Sequence, residues 1–194
     1  MALLNKIALV TLALASLNAN ASLVTANGNN HTLSSAQSLN GHFTQEYNAE
    51  ITDSTAVAHA TATGTGQNAW DYYSFTLTSA ANVLFDIDHA MPALDSWLNI
   101  YNSVGDRLAY HDDGGVGDAG SIHGYDSYLS YNFSEAGTYT VGVGRYSNSP
   151  LVAGQGYTLN VSTVAAVPEP ETYALMAVGL LGLAAARRRK QVTA

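Results

Sequence analysis

The densest group of side chains capable of chemistry is the segment HDDGGVGDAGSIHGYD, residues 111–126. It places Asp112, Asp113, Asp118 and Asp126 among glycines, which allow a loop to fold back so that its carboxylates converge. Ca²⁺ is coordinated by about six to eight oxygens at ~2.3–2.6 Å, and crowded carboxylates repel one another without a cation. The segment is therefore a candidate calcium loop, although its spacing is not that of an EF-hand. The alternative interpretation is an acidic surface turn.

Histidines near this segment allow a second kind of chemistry. His111 and His123 flank it and His89 lies in another loop, so three imidazoles could bind zinc or a His–Asp pair could act as a base. The spacings match no zinc motif, and the chain has no cysteine. Surface histidines are the favoured interpretation.

The remaining acids give only a weak indication of catalysis. Asp71, Asp86 and Asp88 could form the carboxylate pair of a glycosidase, but they fall on the polar faces of predicted strands. No G-x-S-x-G sequence offers an activated serine. We expect the protein not to be an enzyme, and a secreted hydrolase acting on polysaccharide or protein is the alternative.

Aromatic residues are a further candidate binding feature. Eleven of the twelve tyrosines lie between residues 22 and 167. Tyr72, Trp97, Tyr101 and Tyr146 fall on faces opposite the predicted core. Exposed rings on a sheet can stack on sugars or pack on a partner, and the alternative is that both faces of the sheet are partly covered.

The elements that must position these residues alternate apolar and polar side chains with a period of two. Seven such segments occur from Trp70 onwards, separated by turns such as SVGD and SEAG, and none has a long helical period. This pattern predicts an all-β, antiparallel β-sandwich. The predicted core residues are Tyr73, Phe75, Val83, Phe85, Leu98, Ile100, Leu129, Phe133, Val141 and Leu159.

The charge distribution excludes one class of partner. Residues 22–167 carry thirteen acidic residues and only two cations, Arg107 and Arg145, for a formal charge of −11. Such a surface repels nucleic acid and anionic lipid. Nucleic acid is therefore not an expected partner.

The first 21 residues have the pattern of a secretory signal peptide. Lys6 precedes an apolar run, Ile7–Leu17, and Ala19 and Ala21 form the A-x-A pattern that signal peptidase accepts. We expect cleavage after Ala21. An uncleaved membrane anchor is the alternative.

The C-terminal segment predicts a short membrane helix. Thr172–Ala186 is uncharged and, at ~1.5 Å per residue, about 22 Å long. This length just reaches across a ~30 Å hydrocarbon core if the side chains of Arg187, Arg188, Arg189 and Lys190 extend to the interface. The positive-inside rule leaves these cations in the cytoplasm and the preceding chain outside.

This tail resembles the PEP-CTERM sorting signal. Val167, Pro168, Glu169 and Pro170 form its V-P-E-P motif, followed by the apolar helix and the Arg/Lys cluster 187–190. The resemblance implies a Gram-negative protein that an exosortase processes near the motif. Its precursor would be anchored in the inner membrane, and the product would reach the cell surface or an extracellular, exopolysaccharide-containing biofilm matrix.

The segments between the two ends resemble the bacterial pre-peptidase C-terminal (PPC) domain. WDYYSFTLTSAANVLFDI, LDSWLNIYNSVGDRLAYHDD and SEAGTYTVGVG follow the order and spacing of its motifs across residues 33–161. The resemblance implies a jelly-roll-like sandwich of the kind appended to secreted peptidases. It also implies that Asp95 approaches the loop, giving Asp95, Asp112, Asp113, Asp118 and Asp126 as candidate calcium ligands.

Three segments and one function follow from these patterns. The segments are a signal peptide (1–21), a PPC-like domain (22–166) and a sorting signal (167–190). We expect an exported, non-enzymatic envelope or matrix protein, stabilised by calcium. Its partners would be signal peptidase, an exosortase and matrix exopolysaccharide.

Overall fold

The computed structural model describes residues 23–91, 94–114 and 119–164. Within these ranges the chain forms ten strands and a single turn of 3-10 helix, Leu33–Ser35. In chain order the strands are β1 (Val24–Thr25), β2 (Gln37–Ser38), β3 (Ala58–Thr65), β4 (Asp71–Leu77), β5 (Ala81–Met91), β6 (Ser96–Tyr101), β7 (Arg107–His111), β8 (Tyr128–Phe133), β9 (Gly137–Arg145) and β10 (Gly156–Val164).

The strands form two five-stranded sheets that pack as a sandwich. Sheet A has the order β1-β3-β10-β5-β8, and sheet B has the order β2-β4-β9-β6-β7. From β3 to β10 the chain alternates between the sheets, except at the β6–β7 hairpin, so each sheet is built from strands distant in sequence. The predicted β-sandwich is confirmed.

The core lies between the two sheets and contains the predicted residues. Tyr73, Phe75, Phe85 and Leu159 are fully buried, as are most of the others. Leu129, on the edge strand β8, is only half-buried and packs against the core. Phe75 lies 5.6 Å from Phe85, ring centre to ring centre, so aromatic contacts join the two sheets.

The prediction of purely antiparallel sheets is wrong, because each sheet has one short parallel strand at its edge. β1 pairs in parallel with β3, and β2 pairs in parallel with β4. Tight hairpin turns impose antiparallel pairing on neighbouring strands. Long stretches of chain separate β1 from β3 and β2 from β4, so no hairpin turn sets their direction.

β3 has no counterpart among the seven segments that the sequence pattern predicted. It reads AHATATGT and pairs with β10 along its whole length, from Thr65 opposite Gly156 to Ala58 opposite Thr163. Its side chains are small, so apolar and polar positions differ little in the sequence. Pairing with the buried strand β10, rather than the hydrophobic pattern of its own sequence, therefore determines that this segment is a strand.

Both ends of the chain lie outside the described residues. The signal-peptide residues 1–21, including Ala19 and Ala21, belong to this part. So do the sorting motif Val167–Pro170, the predicted helix 172–186 and the cations 187–190. Among the residues that are described, no helix has the length and apolar character needed to cross a membrane.

Candidate functional site

The glycine-rich loop between β7 and β8 folds against the outer face of sheet A. The Gly114 amide donates a hydrogen bond to the Asp126 carbonyl oxygen at 2.7 Å, which brings the two ends of the loop together. Gly120 has φ +101°, and a Cβ at this position would collide with the Asp88 carboxylate. Glycine is thus required where the loop crosses β5.

Two serines fix the base of this loop to sheet B. The Ser127 amide donates to the Ser96 hydroxyl oxygen at 2.8 Å, and the Ser127 hydroxyl donates to the Asp112 carbonyl oxygen at 2.6 Å. Both serines are fully buried. They hold Asp112 close to the start of β6, where Asp95 lies.

Asp95, Asp112 and Asp113 form a group of mutually repelling carboxylates, here called the Asp95 cluster. Burial raises the pKa of Asp95, and the negative charges of Asp113 and Asp112 raise it further, whereas His123 opposes the shift. Asp95 Oδ1 is buried and has no hydrogen-bond partner. An oxygen in this position lacks the compensation that a donor or a cation would give it.

Asp126, a fourth predicted ligand, is held by the loop itself. It is fully buried, and its Oδ2 accepts a hydrogen bond from the Ile122 amide at 2.9 Å. Its Oδ1 lies 3.4 Å from His123 Nδ1. Asp126 therefore organises the turn at residues 122–126.

The described part of the loop does not by itself form a complete metal site. Asp118 lies outside the described residues. Within the described ranges, no group of three or more histidine, aspartate or glutamate side chains is arranged to hold a metal ion. The Asp95 cluster contributes carboxylate oxygens, which are the kind of ligand that Ca²⁺ takes in proteins.

The sequence interpretation missed the burial of acids on the outer face of sheet A. Asp88 is fully buried, and its Oδ2 accepts a hydrogen bond from Asn160 Nδ2 at 2.7 Å. Asn160 Oδ1 in turn accepts from the Thr61 hydroxyl at 2.6 Å. In the sequence, polar residues alternate with apolar ones along β3, β10 and β5. This pattern could have indicated a shared polar network, but only the strand pairing shows which of these residues are neighbours.

A cavity of about 340 Å³ opens beside these residues. Glu50, Asp86, Tyr128 and Asn160 supply its polar wall, and Leu84 lies on the same strand face. Two carboxylates in one cavity favour a cationic or hydroxyl-rich ligand over an anion.

Within the described residues, His89 and His123 each pair with an acid, whereas no acid pairs with His111, and the three histidines do not come together as a zinc site. His89 Nε2 lies 2.5 Å from Glu50 Oε1, and that hydrogen bond raises the pKa of His89. His123 packs beside Tyr125, with 5.6 Å between ring centres.

Asp71 belongs to a separate buried network between the sheets. The Tyr157 hydroxyl donates to Asp71 Oδ2 at 2.8 Å and lies 2.9 Å from the Tyr73 hydroxyl. His31 Nδ1 lies 3.3 Å from Asp71 Oδ1. Burial raises the pKa of Asp71, while Tyr157 and His31 oppose the shift.

The predicted non-core aromatics lie on or beside the outer face of sheet B. Tyr72 pairs with Gly142, Trp97 with Gly144, and Tyr101 with Thr140. The side chains of these three aromatic residues alternate with the core side chains of their strands and so point away from the core. Tyr146 follows β9 and is 54% exposed. The rings therefore form a second candidate binding surface.

Comparison with known proteins identifies two segments, and the resemblance seen in the sequence is confirmed for both. Residues 70–145 match the model of the bacterial pre-peptidase C-terminal domain, and residues 166–190 match the PEP-CTERM protein-sorting motif. The domain match covers β4 to β9 and thus includes the Asp95 cluster and the outer face of sheet B.

Among solved structures, one match is the pre-peptidase C-terminal domain of a collagenase from Bacillus anthracis. The similarity has a TM-score of 0.40 and 20% sequence identity, and it covers 53% of this chain and 88% of that one. No curated protein matches this chain.

The sorting motif has consequences for the whole chain. It implies an exported protein whose precursor is anchored in a membrane and processed by an exosortase. The protein therefore combines a PPC-like sandwich with a signal for delivery outside the cytoplasm.

Proposed function

We propose that the protein is a non-enzymatic component of the cell envelope or biofilm matrix, in which the sandwich acts as a binding or structural module. The observation that carries this proposal is the sorting motif at residues 166–190, attached to a PPC-like domain. Signal peptidase cuts after Ala21, the Arg187–Lys190 cluster holds the precursor in the inner membrane, and an exosortase releases the body to the cell surface or matrix.

The geometry of the acids favours binding over hydrolysis. Asp71, Asp88 and Asp126 are each hydrogen-bonded within the fold. A general acid or base needs access to the proton that it transfers, and these three side chains are fully or almost fully buried. A hydrolase would have to use other residues.

Calcium stabilises the module in this proposal. Asp95, Asp112 and Asp113 supply carboxylate oxygens, Asp118 belongs to the same loop, and Asp126 holds the turn that follows. Support comes from the buried Asp95 Oδ1 without a partner and from the repulsion that raises the pKa of Asp95. A cation there removes the repulsion that the folded state otherwise carries.

The proposal is tested by the intact mass of the protein recovered from the host's envelope and extracellular fractions. We expect a mature form that lacks residues 1–21 and the cations Arg187–Lys190. The double variant Pro168→Ala, Pro170→Ala is the matched control, because it keeps the charge and the apolar tail but removes the motif. It should remain uncut in the membrane.

Two results would contradict the proposal. One is an extracellular pool that consists only of chains with the complete tail. The other is a loss of hydrolytic activity of the secreted protein on polysaccharide or protein when Asp86 is replaced by Asn and the melting temperature is unchanged.

A further inference from the structure

The outer face of sheet B is a surface of aromatic rings laid over glycines. Gly142 and Gly144 occupy neighbouring outward positions of β9. A Cβ at Gly142 would lie 2.8 Å from the Tyr72 ring, and one at Gly144 would lie 2.5 Å from the Trp70 ring. The two rings stack with centres 6.2 Å apart. Because glycine has no side chain, the rings lie close to the sheet.

A second group of rings flanks this surface on β6 and β7. Trp97 and Tyr110 stack with ring centres 5.2 Å apart and planes within 3° of each other. The Arg107 guanidinium lies 4.9 Å from the centre of the Tyr110 ring. Trp97 Nε1 donates to Asn99 Oδ1 at 3.2 Å, and Asn99 Nδ2 donates to Asn148 Oδ1 at 2.9 Å. These contacts fix the rings and amides before any ligand arrives.

The charge on this face differs from that on the rest of the body. At the described strand positions of the face, Arg107 is the one charged side chain, whereas the outer face of sheet A carries Asp86 and Asp88. An acidic polymer would meet the long-range repulsion of a body with a formal charge of −11. An uncharged ligand does not meet this repulsion. Because the described strand positions of the face carry no carboxylate, binding there also does not require a carboxylate to lose its water.

We propose that the outer face of sheet B binds an uncharged polysaccharide. A sugar ring has an apolar C–H face that can pack on the aromatic surface, and its hydroxyls can accept from the Arg107 guanidinium and the Asn148 amide. Tyr110 and Tyr146 are 55% and 54% exposed and supply the accessible edge of the surface. The inference rests on the proposed matrix function and names the ligand class of its binding module.

Affinity gel electrophoresis of the full chain tests this proposal, in a polyoxyethylene detergent so that no sugar-based detergent competes. The gels contain hydroxyethylcellulose, alginate or gelatin. We expect hydroxyethylcellulose to retard the protein most. The variant Tyr110→Ala, Tyr146→Ala should raise the dissociation constant derived from this retardation about tenfold, which corresponds to about 1.4 kcal/mol.

The control is Tyr47→Ala, Tyr125→Ala, which removes two tyrosines that are also mostly exposed, at 80% and 57%, and that belong to no strand of sheet B. It should migrate as the wild type does. The proposal is overturned if both double variants behave alike, if none of the gels retards the protein, or if alginate or gelatin retards it more strongly. Export and tail cleavage in the host would be unaffected by such a failure, so the two proposals fail separately.

Discussion

Aspartate residues occupy two kinds of environment at the scale of single residues. Asp71 and Asp88 are buried and each accepts a hydrogen bond from a neighbouring side chain. Asp112 and Asp113 are in the loop and act on Asp95 by charge repulsion. The first kind links particular strands through hydrogen bonds, whereas the second kind carries the charges on which the calcium proposal rests.

The variant Asp71→Asn tests the first kind through its pH dependence. Burial raises the pKa of Asp71, so the carboxylate destabilises the folded state once the pH exceeds its titration range. The wild type should therefore lose free energy of unfolding relative to Asp71→Asn as the pH rises from about 3 to about 7. Urea denaturation at several pH values measures this difference.

An exposed aspartate provides the control for this pH effect. Asp106→Asn makes the same substitution at a carboxylate on the surface, so it reports the effect of the change from Asp to Asn without burial. The unfolding free energy of Asp71→Asn minus that of the wild type should increase with pH. If this difference stays constant or decreases as the pH rises, the Tyr157 and His31 contacts outweigh burial.

The double variant Asp112→Asn, Asp113→Asn tests the second kind. Extracellular calcium modules have dissociation constants of roughly 10⁻⁴–10⁻³ M, and a hundredfold excess of ligand adds about 2.7 kcal/mol. The wild-type melting temperature should rise in excess calcium, and magnesium should have a smaller effect because it requires octahedral geometry. The variant should lose the response and be more stable than the wild type in chelator. Calorimetry measures both effects.

The matched control carries the same charge change elsewhere on the surface. Asp106→Asn with Glu135→Gln removes two exposed carboxylates and should keep the calcium response. If the wild type melts at the same temperature in chelator and in calcium, the calcium proposal is wrong and the loop is an acidic surface turn.

At the scale of elements, β5 and β10 form the centre of sheet A. β5 lies between β10 and β8, and β10 lies between β3 and β5, so each has hydrogen-bonded neighbours on both sides. Their inward residues meet the aromatic side chains of sheet B. On the outer face, Asp88 of β5 accepts a hydrogen bond from Asn160 of β10 and lies under the glycine-rich loop at Gly120. The same two strands therefore support both the core and the candidate site.

The variant Phe85→Ala tests the contribution of β5 to the core. Phe85 is fully buried and its ring packs against those of Phe75 and Phe133. Removing it should cost about 3–5 kcal/mol of unfolding free energy, because it deletes apolar contacts and leaves a cavity. Chemical denaturation measures the loss, with the exposed Tyr47→Ala as control. A cost below about 1 kcal/mol would be inconsistent with this packing.

At the scale of the whole molecule, positive and negative charges are segregated. The body has two arginines among thirteen acids, whereas Arg187, Arg188, Arg189 and Lys190 stand together near the C-terminus. Cations on the cytoplasmic side of an apolar segment hold its orientation in the membrane. The sorting motif implies that the acidic body is exported, and so it is separated from this cationic cluster.

Replacing Arg187, Arg188 and Arg189 by alanine tests the role of the cationic cluster. We expect the precursor to be poorly retained in the inner membrane, since the topology signal is removed with the charges. Membrane fractionation of the host measures retention. Replacement by three lysines preserves the charge and should retain the precursor, and equal retention of the alanine variant would contradict this role.

The sequence alone determined the strands whose inward residues are large and apolar, and it determined the sorting motif. Alternation of Tyr73, Phe75 and Leu77 with polar residues suffices for β4, because burying one face of a strand requires this period. The motif near Pro168 is local and needs no neighbours to be recognised.

Only the tertiary structure decided the pairings and the roles of the polar residues. β3 is defined by the partner strand that it meets, and the direction of β1 is not set by a hairpin turn. Asp88 reads as a surface residue in the sequence, yet Asn160 and the backbone at Gly120 enclose it. The physical reason is that burial and hydrogen-bond partners depend on segments far apart in sequence, whereas periodicity reports only one strand at a time.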